Sequence, residues 1–175
     1  SYGSYYRAGV SEGEGLSFVS VLDTAEALGA PMIRIWAGNQ NGIDADAAHV
    51  QAVIEDTRRI ADLAAARDTS LVFEYHGGSL TDRNETAARF ASRVERPNVY
   101  FSWQPPHGYT LEHCLEGLQA LLPRLGTLHV YHWTIGSYEK NTVNETIRPL
   151  NLPDDFHRHS LAGGKARWQA FFDAA

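Results

Sequence analysis

Apolar runs of strand length recur along this chain with a helix-period stretch between each pair, and that alternation constrains the fold more than any other feature. Strand starts fall at about residues 4, 32, 71, 99 and 128. Strands that alternate with helices lie parallel and are joined by right-handed crossovers. The spacing is close to the roughly 31 residues per unit of an eight-unit (β/α) barrel of about 250 residues. Only about five strands fit in the 175 residues. The class is therefore α/β, as an open doubly wound sheet or as most of a barrel with units missing at both ends.

The helices between the strands are readable from their periodicity. Phe18, Val21, Leu22, Ala25 and Leu28 recur at helical spacing, and Gly29 supplies a stop before Pro31. A longer helix runs from about Asp46 to Arg67, with Val50, Val53, Ile54, Ile60, Ala61 and Ala64 as its buried stripe. Asp82 and Glu85 stand at capping-box spacing at the head of a third, and a fourth covers Thr110 to Leu122. A last helix covers Lys165 to Asp173, after a polar stretch from Ile135 to Gly164 with no sustained period. The expected strands are Tyr5 to Gly9, Met32 to Trp36, Leu71 to His76, Val99 to Gln104 and Leu128 to Trp133.

Composition narrows the function classes. A formal charge of −6 argues against a general nucleic-acid binder, which needs a basic surface. Cys114 is the only cysteine, so there is no internal disulfide and no thiolate metal cluster, and it reads as a packed helix residue. No apolar run approaches the length of a membrane span, and Ser1 to Arg7 has no signal-peptide core. The expectation is a cytoplasmic protein without a membrane partner, residues 1–175 forming a single partial domain.

The stretch Leu71-Val72-Phe73-Glu74-Tyr75-His76-Gly77-Gly78 carries the chemistry. Side chains alternate along a strand, so Glu74 and His76 share one face with Val72, while Leu71, Phe73 and Tyr75 share the other. Extending this parity to every strand separates two sets. Ile33, Ile35, Leu71, Phe73, Val99, Phe101, Leu128 and Val130 form an apolar set that should pack beneath helices. Opposite them stand Arg34, Trp36, Glu74, His76, Tyr100, Ser102, Gln104, His129, Tyr131 and Trp133, polar and aromatic, mostly near the carboxyl ends of strands. Parallel α/β folds place their sites there. Glu74, Gln104 and His129 offer two oxygens and a nitrogen, which suit manganese, magnesium, cobalt or zinc, though with a single carboxylate the set is incomplete. His107, three residues after Gln104, can fold over the same mouth.

The segments Leu28 to Gly38, Phe73 to Gly77, Asn98 to His107 and His129 to Tyr131 together resemble the sugar phosphate isomerase/epimerase family with the xylose-isomerase-like TIM barrel. The resemblance implies a divalent ion held by a Glu, an Asp, a His and a second Glu on successive strands. Glu74 matches the first Glu and His129 the His. The family's Asp-x-x-His pattern falls on Gln104-Pro105-Pro106-His107, with Gln in place of Asp. The second Glu belongs to a last strand with no counterpart here, and the first two strands also lack counterparts, so a partial barrel is expected.

In this reading the ion polarises the carbonyl of a hydroxy-ketone sugar or sugar phosphate and stabilises an enediolate when the neighbouring carbon loses its proton. Glu74 is then ligand and general base, His107 and His76 orient or protonate oxygens, and Arg34, Trp36 and Trp133 bind substrate. Two alternatives stay open: a degenerate barrel that binds sugar without turnover, and an endonuclease IV-like repair enzyme, which the acidic balance and Gln104 disfavour. Open strand edges allow homo-oligomers.

Overall fold

The computed structural model describes residues 1–106, 109–135 and 156–175, with side chains omitted for 133–135 and 156–158. Five strands, β1 (Tyr2–Arg7), β2 (Met32–Trp36), β3 (Ser70–Glu74), β4 (Val99–Trp103) and β5 (Leu125–Leu128), form one parallel sheet in the order β1-β2-β3-β4-β5. The order never reverses. Successive right-handed crossovers in one direction put every helix on the same face, which is the arc of a barrel and not a doubly wound sheet.

The connecting helices are α1 (Phe18–Ala27), α2 (Ala47–Ala65), α3 (Asn84–Arg93) and α4 (Leu111–Leu121), followed later by α5 (Lys165–Ala174). Ser17, Asp46 and Thr110 cap α1, α2 and α4 by accepting from the backbone N–H of Val19, His49 and His113, which satisfies donors the first turn leaves open. At the other end of α1, Gly29 adopts φ +61°, and the amides of Gly29 and Ala30 close on the carbonyls of Glu26 and Ala25. That is the six-to-one, five-to-two pattern expected of a glycine stop.

Helix α2 ends the same way on Asp68, at φ 50°, with the Thr69 amide on the Ala64 carbonyl. A side chain there sits in the left-handed region that glycine occupies freely. Asp68→Gly is expected to stabilise the fold by about 0.5 kcal/mol, part of the strain relief being offset by the greater freedom of glycine in the unfolded chain. Thermal melts should show a rise of about 1–2 °C.

The helix-facing set predicted from parity is buried in β2, β3 and β4: Ile33, Ile35, Leu71, Phe73, Val99 and Phe101 are all within the core. Phe73, Phe90 and Phe101 meet in edge-on and tilted contacts at 5.0 to 6.2 Å, tying α3 to the sheet. Cys114 is buried on α4, as expected of a packed helix residue.

Three expectations are corrected. The first strand runs Tyr2–Arg7, because Gly9 at φ +75° has left the extended region. The fifth occupies Leu125–Leu128 and not Leu128 to Trp133: a 3₁₀ turn over Leu122–Arg124 delivers the chain directly to β4, pairing Phe101 with Leu125 and Trp103 with Leu128. Trp133–Ile135 (β6) instead pairs antiparallel with Phe156–Arg158 (β7), and Val130 is 38% exposed, outside the helix-covered core. The Asp82–Glu85 capping box does not form. Arg83 is the N-cap of α3, and Asp82 Oδ1 accepts from the Gly42 amide and the Thr86 hydroxyl.

Candidate functional site

The ladder pairing aligns polar residues in a row across the carboxyl ends of four strands. Arg7 is opposite Trp36, and Glu74 is opposite Ser102. One tier below, Arg34 pairs with Val72 and Val72 with Tyr100. This is the face away from the helices.

Glu74 ends β3 and is the hub. Its Oε2 lies 2.8 Å from Arg34 Nη1 and accepts a 2.7 Å hydrogen bond from Trp36 Nε1. The side chains of Arg34 and Glu74 are 24% and 14% exposed, so the pair is shielded yet still reached by solvent. Arg34 Nη1 makes no aligned hydrogen bond, so the contact is an ion pair more than a directed bond. With Oε2 claimed twice, Oε1 is the pole left for a ligand.

Aromatic rings and a second guanidinium surround the hub. His76 lies tilted at 5.4 Å from Trp36, and Tyr5 meets the same indole edge-on at 5.6 Å. The guanidinium of Arg7 sits 4.3 Å from the Trp36 ring centroid and that of Arg34 5.1 Å. His76 Nδ1 is 2.6 Å from the Gly77 carbonyl. A carbonyl only accepts, so Nδ1 carries the proton and a neutral His76 presents Nε2 as its open lone pair.

The loop behind these groups is tied down on several sides. Thr81 Oγ1 donates to the Glu74 carbonyl, Ser79 Oγ to the His76 carbonyl, and the Gly78 and Leu80 amides to Asn41 Oδ1 and the Ala37 carbonyl. Gly78 takes φ +75° within it. Gln104 Nε2 donates to the Tyr75 carbonyl at 2.6 Å, which fixes the amide and leaves its Oε1 without a partner among the described residues.

The structure thus brings together Arg34, Trp36, Glu74 and His76, with Gln104 joined through the Tyr75 backbone. His129 is exposed just beyond β5, where its amide donates to the Trp103 carbonyl and its ring meets Tyr131 edge-on; it bonds neither Glu74 nor Gln104. Among the described residues no three His, Cys, Asp or Glu side chains converge on a metal position. By donor type alone, Glu74 Oε1, Gln104 Oε1 and the His129 imidazole suit a hard or borderline divalent ion, but no contact among the described residues joins the three. His107 and the side chain of Trp133 lie outside the described residues.

Arg7 and Tyr5 belong to the site and were not anticipated. Their signal was the parity of β1: with Ser4, Tyr6 and Ala8 buried under α1 and α2, Gly3, Tyr5 and Arg7 face the other way. The first strand was given no faces in the parity reading, although Tyr5 and Arg7 alternate with Tyr6 and Ala8.

A cavity of about 770 Å³ opens between α2 and α3, lined by Val50, Ile54, Tyr75, Asp82, Phe90 and Arg93 among others, but not by Arg34, Trp36, Glu74, His76 or Gln104. Burial pushes the Asp82 carboxyl up there. It lies on the helix side of the sheet and reaches the loops that follow β2, β3 and β4 at Gly42, Leu80 and Pro106, behind the face that carries Glu74.

On α2, burial pushes the His49 imidazole below its ordinary value of 6.5, against the opposing pull of Asp46. The unfolded chain therefore takes up the proton first. The stability His49 contributes is complete above 6.5 and is lost as the pH falls from there to the folded value. Melts at about pH 7.5 and about pH 5.5 should show lower stability in acid, and His49→Gln should narrow that difference.

The profile of the xylose isomerase-like TIM barrel matches residues 16–175. Among solved structures, the chain is similar to the probable 3-DHS dehydratase AsbF from Bacillus anthracis (18% identity, TM-score 0.66, 79% of this chain and 53% of that one). It is also similar to a xylose isomerase-like TIM barrel protein from Mycobacterium smegmatis in complex with magnesium (17%, 0.55, 66% and 44%). A third is a D-allulose 3-epimerase from Methylomonas sp. (17%, 0.53, 65% and 42%). The chain spans about half the length of these structures or less, and at such identities the likeness is one of fold. No curated protein matches it. The sequential five-stranded arc and the match over nearly the whole length together show that the chain belongs to the xylose isomerase-like TIM barrel family.

Proposed function

We propose that this chain carries the site of an isomerase or epimerase that moves a proton at the carbon beside the carbonyl of a sugar or sugar-like hydroxy-ketone. The observation that supports this most is the Glu74 carboxylate, held on Oε2 by Arg34 and Trp36 with Oε1 open to the concave face. The magnesium complex and the epimerase among the structural neighbours are consistent with it.

Glu74, Gln104 and His129 are the residues that would hold a divalent ion, which when bound polarises a carbonyl oxygen. The chain's own groups do the rest. Glu74 serves as the general base that moves the proton at the carbon, and His76, with Nδ1 already committed to Gly77, orients a substrate hydroxyl through Nε2. Trp36 and Tyr5 offer ring faces to the C–H side of a sugar, and Arg34 holds both the carboxylate and a substrate oxygen.

Proton abstraction beside a carbonyl leaves a label. The chain, supplied with magnesium or manganese in heavy water, is expected to wash deuterium into one carbon of a ketose or aldose from a panel that includes xylulose, allulose and dihydroxyacetone. Proton NMR reads the loss of that C–H signal, and chelation of the metal should stop it. Sugar binding without any exchange across the panel would reject the reaction and select a non-catalytic sugar-binding barrel.

A further inference from the structure

We propose that the substrate of this site is an anion, a hydroxylated carboxylate whose carboxyl group is held by Arg7 beside Arg34. This rests on the reading of the concave face as the working site and adds the class of molecule it takes.

The argument is one of unmatched charge. Arg34 is neutralised by Glu74 at 2.8 Å. Arg7 has no acidic partner among the described residues; its guanidinium makes one long hydrogen bond, 3.4 Å to the Gly38 carbonyl, and rests over the Trp36 ring. The strand ends and the tier below them therefore hold two guanidiniums and one carboxylate, leaving one positive charge unmatched among the described residues, in a chain whose overall charge is −6. Arg59, Arg67 and Arg96 are answered by acids, and Arg93, Arg124 and Arg167 rest on amide or carbonyl oxygens away from the Trp36–Glu74 face, so Arg7 is set apart by its place beside Trp36. An arginine left unpaired at a strand end, half-buried against an indole, is what recognition of a planar anion requires.

The site also orients Arg7 cheaply. Arg7 is opposite Trp36 in the ladder, so the strand register sets where its side chain starts and the indole restricts where it lies. Its backbone carbonyl accepts from the amides of Val10 and Ser11, contacts any side chain at position 7 keeps. One unmatched charge suits a singly charged carboxylate better than a phosphate, which carries about −1.5 to −2 at neutral pH. The tryptophan beside it suits the C–H face of a hydroxylated carbon chain.

The test is a set of binding titrations by calorimetry with xylonate, xylose and xylose 5-phosphate, on the wild-type chain and on Arg7→Gln and Arg7→Lys. Xylonate is expected to bind at least about tenfold more tightly than xylose, with an affinity that weakens as salt is added. Arg7→Gln should bring the ratio of xylonate to xylose affinity down to about one, and Arg7→Lys should restore part of it. Three results overturn the proposal: equal affinity for xylonate and xylose in the wild type, an advantage that survives in Arg7→Gln, or tighter binding of the phosphate than of the carboxylate. Arg7→Lys keeps the charge at position 7, so a misfolded Arg7→Gln does not decide the matter. The reaction is judged separately. Arg7-dependent acid binding without deuterium exchange would reject the isomerase reading and leave this inference standing, and exchange on neutral ketoses with no acid preference would do the reverse.

Discussion

Glu74→Gln lowers deuterium exchange and turnover by about 10³-fold while leaving the fold in place. Glutamine keeps the volume of the side chain and one acceptor for the Trp36 indole N–H, so the hydrogen bond at 2.7 Å has a successor. The charge has none. Arg34 loses its counter-ion, and the open oxygen can no longer anchor an ion or answer a developing charge in the substrate. The stability cost is far smaller than the kinetic one, about 1 kcal/mol or less, because both members of the pair retain contact with solvent. Circular dichroism and a thermal melt close to wild type, with exchange all but gone, are the paired observations expected. Wild-type exchange in this variant would remove Glu74 from the mechanism.

Gly9→Ala carries the largest structural penalty, about 2–5 kcal/mol, from two separate sources. Gly9 has φ +75°, where an L side chain is strained by about 1–2 kcal/mol. A Cβ there would also stand 2.8 Å from the Val53 amide nitrogen and 2.9 Å from its Cα, backbone atoms of α2 that cannot swing aside. The same turn donates the Gly9 amide to Asp56 Oδ2 at 2.8 Å, so pushing it off α2 breaks a second tie. Gly15→Ala isolates the first source: Gly15 has φ +88° with nothing within 4 Å of the added carbon. A melting temperature lowered by about 5–15 °C in Gly9→Ala and by only a few degrees in Gly15→Ala is expected. Equal shifts in the two variants would contradict the contact with α2.

Much of this was legible because burial enforces periodicity. Ile33, Ile35, Leu71, Phe73, Val99 and Phe101 alternate with polar neighbours under a helix layer, so one rule placed both the core and the Arg34, Trp36 and Glu74 face. Strand β5 was misplaced because Leu-Gly-Thr-Leu has no alternation to read and its pairing is set by how α4 ends, whereas the aromatic run from Tyr131 to Trp133 has the composition of a strand and lies beyond it. Arg7 stayed hidden for a similar reason. A strand start has no preceding helix to mark it, so the alternation of Tyr5 and Arg7 with Tyr6 and Ala8 was not carried into the site. The Asp82–Glu85 spacing suggested a cap that tertiary contacts overruled, since Asp82 serves the loop at Gly42. Between the concave face and the cavity at α2 and α3, only the first could be foreseen, since the second is a gap between helices with no sequence signature.

An NMR titration with xylulose and with xylonate, following side-chain N–H, methyl and aromatic C–H signals, tests the placement of the site most directly. The account predicts that the Trp36 indole N–H, bonded to Glu74, and the Gln104 side-chain amide, bonded to Tyr75, shift together while Val50, Ile54 and Phe90 stay still. Shifts confined to Val50, Ile54 and Phe90, with the Trp36 indole unmoved, would put ligand between the helices and contradict a working site on the concave face.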